Sequence, residues 1–65
     1  MKTVEQIIEI VNPQEIIVKS VNYLQCYVND KFVEIQKDYH KKQWYQFQTY
    51  GKSISPREKF IKWID

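Results

Sequence analysis

The sequence predicts an α+β fold, a three-stranded antiparallel sheet with an N-terminal and a C-terminal helix packed on one of its faces, in the order α-β-β-β-α. Three observations lead there. Two runs of β-forming residues, Tyr23 to Val28 and Lys31 to Lys37, flank Asn29-Asp30, a dipeptide that tolerates the positive φ of a two-residue hairpin turn. A third run, Trp44-Tyr45-Gln46-Phe47-Gln48-Thr49-Tyr50, alternates with a period of two and is closed by Gly51, the one glycine of the chain. Helix-start signatures stand near each end, Thr3-Val4-Glu5-Gln6 and Ser55-Pro56-Arg57-Glu58.

In the first helix, expected over residues 4 to 11, Thr3 and Gln6 form a capping box, and Val4, Ile7, Ile8 and Val11 make one apolar stripe before Asn12-Pro13 ends it. Residues 13 to 20 carry two conflicting signals. Asn12 as a cap, Pro13 at a first helical position and Glu15 beyond it fit a short helix, whereas the β-branched run Ile16-Ile17-Val18 fits an additional strand. Both readings stay open.

The Asn29-Asp30 turn sets the hairpin register: Val28 opposite Lys31, Tyr27 opposite Phe32, Cys26 opposite Val33, Gln25 opposite Glu34 and Leu24 opposite Ile35. Opposed residues share a face of an antiparallel pair. Leu24, Cys26, Val28, Val33 and Ile35 thus form an oily face, and Tyr23, Gln25, Tyr27, Phe32, Glu34 and Gln36 form an aromatic, amide-rich one. In the third run Tyr45, Phe47 and Thr49 are assigned to the oily face, leaving Trp44, Gln46, Gln48 and Tyr50 on the amide-rich face; a slip of one residue exchanges the two sets. Asp38 to Lys42 reads as a solvated loop. Ser55 caps the expected last helix, on which Phe60, Trp63 and Ile64 share a side.

With 65 residues the chain is one domain close to the lower size limit, able to bury roughly 60% of its unfolded surface. Such a core leaves little room for an enclosed cofactor site, and no cofactor is expected. No run of about 18 apolar residues exists to span a membrane, nor a signal peptide's apolar core, so a cytoplasmic protein is expected. A lone cysteine, Cys26, cannot form an internal disulfide and reads as a core residue. The skew to Lys, Ile, Asn, Gln and Tyr, without alanine, is that of an AT-rich genome, such as a low-GC bacterium or its phage or plasmid.

Catalytic signals are absent. A Cys26-His40 pair is the sole nucleophile–base combination, and it is split between the expected core and a loop. No ligand-spaced set of His, Cys and carboxylates points to a metal, and a phosphate-cradling loop needs more glycine than Gly51. The expectation is therefore a non-catalytic protein-binding module, an inhibitor or adaptor encoded by a phage or mobile element, which occludes its partner through Tyr23, Tyr27, Phe32, Trp44, Gln46, Gln48 and Tyr50. A homodimer through the same face is compatible with it.

The alternative is a nucleic-acid-binding protein. The net charge is only +2, but residues 36 to 65 hold six lysines and Arg57 against three acids, together with seven of the ten aromatics. On this reading the rings stack on bases while Lys37, His40, Lys41, Lys42, Lys52, Arg57 and Lys59 meet phosphates. The order helix-strand-strand-strand-helix resembles that of double-stranded-RNA-binding domains, including a basic start to the last helix at Arg57 and Lys59. The lysines and small residues expected there are replaced by Ser55-Pro56-Arg57-Glu58, and no family is assigned.

Overall fold

In the computed structural model, which describes residues 1–52 and 54–65, one helix packs on a five-stranded antiparallel sheet. The elements are α1 (Val4–Val11), β1 (Glu15–Lys19), β2 (Tyr23–Val28), β3 (Lys31–Asp38), β4 (Gln43–Tyr50) and β5 (Arg57–Trp63), and the strands follow one another across the sheet in chain order. The α-β-β-β-α order is thus corrected to one helix and five strands. The likeness to double-stranded-RNA-binding domains goes with it, since that order required a last helix.

Helix α1 forms for the reasons its sequence gives. The Thr3 hydroxyl accepts from the Gln6 amide at 3.2 Å, and the Gln6 side chain accepts from the Thr3 amide at 2.8 Å, closing the capping box. Asn12 ends the helix in the left-handed region (φ 53°), donating its N–H to Ile8. Val4 and Ile7 are buried against the sheet, with Ile8 and Val11 packed beside them.

Residues 15–19 form a strand, so of the two signals in that segment the β-branched run prevails. β1 pairs with β2 through Ile16 and Cys26, and through Lys19 and Leu24, with a bulge at Ile17. Preceding it, Gln14 braces the β2–β3 turn: its side chain accepts from the Asp30 amide at 2.6 Å and donates to the Asp30 carboxylate. Asn29 and Asp30 both take positive φ (51° and 65°), the type I′ geometry that suits the twist of the strands it joins. The β2–β3 register is the one that turn dictates, from Tyr23 opposite Gln36 to Val28 opposite Lys31.

The C-terminal segment is where local signals mislead. Pro56 precedes a strand, and β5 pairs with β4 from Tyr50–Arg57 to Tyr45–Trp63. A register shift between Gln46 and Phe47 breaks the alternation of β5. That irregularity is why Phe60 and Trp63 share a face of a strand at helix-like spacing, while Ile64, just past β5, packs against the core on the helix side. Pairing wins because β4 would otherwise leave eight residues of open edge, and because Phe, Ile and Trp favour strands.

The core lies between α1 and the sheet, made of Val4, Ile7, Leu24, Cys26, Val33, Ile35 and Trp44. Trp44 is its largest member and is fully buried. Its indole N–H donates to the Lys2 carbonyl at 2.8 Å, its amide donates to the Asp65 carboxylate, and its carbonyl accepts from Ile64. One strand residue thereby ties down segments from both ends of the described chain.

Candidate functional site

The β3–β4 register decides which face each ring occupies. Asp38 lies opposite Gln43, Lys37 opposite Trp44 and Ile35 opposite Gln46, so the even-numbered residues of β4 share the helix side with Val33 and Ile35. The sequence assignment of β4 is therefore reversed: Trp44 and Gln46 lie on the helix side, while Tyr45, Phe47 and Thr49 lie on the face α1 leaves open. Gln48 and Tyr50, paired with Lys59 and Arg57, also belong to the helix side. Of the residues expected to contact a partner, Tyr23, Tyr27 and Phe32 are on the open face, and Trp44, Gln46, Gln48 and Tyr50 are not.

The open face gains two rings from β5 that the expected helix had concealed. Phe60 is the cross-strand partner of Phe47, and Trp63 that of Tyr45. Phe47, only 4% exposed, forms the floor of the cluster. Tyr23 stands 6.3 Å from it and Tyr45 5.8 Å, between ring centroids. Tyr45 in turn lies 5.9 Å from Phe60 and 5.8 Å from Trp63, and those two rings are 5.2 Å apart. These are the separations at which tilted and edge-on aromatic pairs attract. Phe60 and Trp63 nevertheless remain about half exposed, at 51% and 42%. Tyr27 and Phe32 form a second, edge-on pair at 6.0 Å.

Between the rings run two hydrogen-bond chains of the same design. Gln25 donates to the Tyr23 hydroxyl, which donates to Glu34 at 3.1 Å, and Thr49 donates to the same carboxylate oxygen at 3.0 Å. Gln36 donates to the Tyr45 hydroxyl and to Glu58, and Tyr45 donates to Glu58 at 3.3 Å. Each chain runs from amide to phenol to carboxylate, so each carboxylate is oriented by neutral donors. Burial raises the pKa of Tyr23 and of Tyr45; the amides of Gln25 and Gln36 oppose the shift, and the adjacent carboxylates add to it.

Charge is sorted between the two faces. By register, Glu15, Glu34, Asp38 and Glu58 lie on the open face, and among the described residues no Lys or Arg of a strand does. Lys19, Lys31, Lys37, Arg57, Lys59 and Lys62 pair on the helix side. The Lys37 ammonium sits over the Trp44 ring, 5.3 Å from its centroid. The residues expected to meet phosphate fall into two groups: Lys37, His40, Lys41 and Lys42 at the β3–β4 turn, and Lys52, Arg57 and Lys59 toward the β4–β5 connection. The eight residues of β4 separate those groups by roughly 20–25 Å.

The β3–β4 ladder ends at Glu34 opposite Phe47, beyond which no pairing joins Lys31–Val33 to Gln48–Tyr50. The two hairpins splay there around an open hollow of 620 Å³, lined on the open side by Phe32, Glu34, Phe47 and Thr49 and on the helix side by Lys31 and Lys62. Glu34 stands at the apex of this fork.

For nucleophilic chemistry, Cys26 is buried beneath α1, which raises its pKa, while His40 is exposed in the β3–β4 turn with its amide held by Asp38. Among the described residues no group of three or more His, Cys, Asp or Glu could hold a metal, and no helix is long and apolar enough to cross a membrane. Comparison of the chain with protein-family models, with curated proteins and with solved structures finds no match.

Proposed function

We propose that the protein is a small non-catalytic binding module that docks a protein partner on the open face of its sheet. The observation that carries this reading is the aromatic layer of Tyr23, Tyr45, Phe47, Phe60 and Trp63 on the face turned away from α1, two of whose rings remain about half exposed. Aromatic anchors surrounded by amides are the composition of interface hot spots. Both sheet edges speak against docking by strand addition. β1 carries a bulge and Lys19, and β5 carries a register shift with Lys59 and Lys62, devices that blunt edge pairing.

A body of this size acts most simply by occluding a working surface of its partner, as an inhibitor or adaptor does. Compositional bias supports a phage or mobile-element source. Nucleic-acid binding is less well supported, because stacking rings and phosphate-binding cations need a common surface, whereas the aromatic layer lies on one face and the strand lysines and Arg57 on the other, with Tyr50 the exposed strand ring among the described residues on the basic side.

The test is affinity capture from source-cell lysate, with and without nuclease, comparing the wild type with a Phe60→Ala/Trp63→Ala variant. Capture of a defined protein that survives nuclease and falls at least about tenfold in the variant is expected, since truncated hot spots cost about 2 kcal/mol or more. Equal capture by both proteins rejects the open face as the docking surface.

A further inference from the structure

We infer that the partner presents arginine or lysine side chains to the open face, where Glu34 and Glu58 receive them among the rings; this rests on the protein-docking reading above. Charge complementarity on a ring-lined surface carries the inference. Glu34 is held by Tyr23 and Thr49, and Glu58 by Tyr45 and Gln36, all of them neutral donors. Among the described residues the one ion pair is Lys19 with Glu5, on the other side of the sheet. Glu34 and Glu58 are thus oriented without being neutralised by an ion pair among the described residues.

Their surroundings suit a cation as well. Tyr45 is within 6 Å of Phe47, Phe60 and Trp63 and bonds Glu58, so a guanidinium laid over these rings meets π-faces and a carboxylate together. Glu34 offers the same pairing at the fork between the hairpins, beside Phe32 and Phe47. A second copy docking open face to open face would oppose these carboxylates to one another. A phosphate backbone would meet the same repulsion.

The test is a heteronuclear NMR titration of the labelled protein at low salt with a capped Leu-Arg-Leu-Arg-Leu peptide. The indole N–H of Trp63 serves as reporter, and that of buried Trp44 as the check that the fold is intact. Controls are the same peptide with citrulline for arginine, which keeps shape and removes charge, and a short oligothymidylate. The expected result is a shift of Trp63 and of the amides around Glu34 and Glu58, with affinity about tenfold weaker for the citrulline peptide and for Glu34→Gln/Glu58→Gln.

Equal binding of the citrulline peptide, or unchanged affinity in the double variant, overturns the inference and leaves the docking reading standing. A Trp63 indole unmoved by the arginine peptide also overturns it, and the capture experiment then decides alone whether the open face docks a protein. Displacement of Trp63 by oligothymidylate, or by raising protein concentration without peptide, overturns it in favour of nucleic acid or of a second copy.

Discussion

The two faces of the sheet are made by the same strands but use large side chains to opposite ends. On the helix side Trp44 is fully buried, its one polar atom satisfied by the Lys2 carbonyl, and it is surrounded by aliphatics. On the open side Trp63 keeps 42% of its surface in solvent and packs against the rings of Tyr45 and Phe60. Lysines collect around the first face and carboxylates on the second. One layer therefore supplies stability, and the other holds rings and charges ready at little cost to it.

That contrast breaks most sharply at the two tryptophans. Trp44→Ala should cost about 3–5 kcal/mol, because it leaves a cavity at the centre of the core and an unpaired Lys2 carbonyl. A 65-residue domain holds roughly 3–10 kcal/mol in total, so the variant should be largely unfolded in a urea titration. Trp63→Ala should cost only about 1–2 kcal/mol, for ring contacts already half open to water, and leave a cooperative transition. Comparable losses at both positions would mean that the open face is a second core rather than a docking surface.

The same tryptophans show how much of the fold and the site was legible. The β2–β3 register follows from Asn29-Asp30, because a two-residue turn with both φ positive permits a single pairing, and the helix start follows from Thr3 and Gln6. The parity of β4 was not legible from its own residues. Rings and amides alternate in Trp44 to Tyr50, and either parity gives one ring-rich face. The deciding fact is the connection: Asp38 pairs with Gln43 across a loop in which Lys42 takes φ 55°, which puts Lys37 opposite Trp44 and turns Trp44 inward. That register gives Lys37 a core-facing position, where its ammonium sits over the Trp44 ring. Phe60 and Trp63 were missed because the shifted β4–β5 register gives them helical spacing. The structure places Tyr23, Tyr27 and Phe32 on the open face, as expected of the hairpin, and turns Trp44, Gln46, Gln48 and Tyr50 of β4 to the helix side.

An alkaline titration sharpens the comparison, since the shifted groups lie on different faces. Burial raises the pKa of Cys26 on the helix side above its ordinary 9.0, and those of Tyr23 and Tyr45 on the open side above 10.0. In each case the folded state favours the neutral form. The stability that follows is therefore complete below the ordinary values and is lost as pH rises through them toward the raised ones. The urea midpoint should hold steady up to about pH 9 and then fall in two stages, thiol first and phenols next. Cys26→Val should remove the earlier stage alone. Glu34→Gln/Glu58→Gln should leave the onset of the later stage in place and make its fall smaller, because the carboxylates add to the tyrosine shifts. A Cys26→Val variant with an unchanged profile would place the first stage elsewhere.

The smallest effect belongs to the charge pair that crosses from α1 to the sheet edge. Lys19 and Glu5 stand 3.7 Å apart with side chains 46% and 65% exposed. At that exposure water screens most of the attraction, and two long side chains lose freedom to hold one geometry. Glu5→Gln should change stability by at most about 0.5 kcal/mol, and by less in high salt. A double-mutant cycle with Lys19→Met isolates the coupling. If it exceeded about 1 kcal/mol, the basic helix side would itself depend on local acids for stability, and the sorting of charge would have a structural cause rather than one in recognition. A coupling near zero, the outcome expected at this exposure, leaves the pair without a part in stability and removes a structural cause for lysine on that side of the sheet edge.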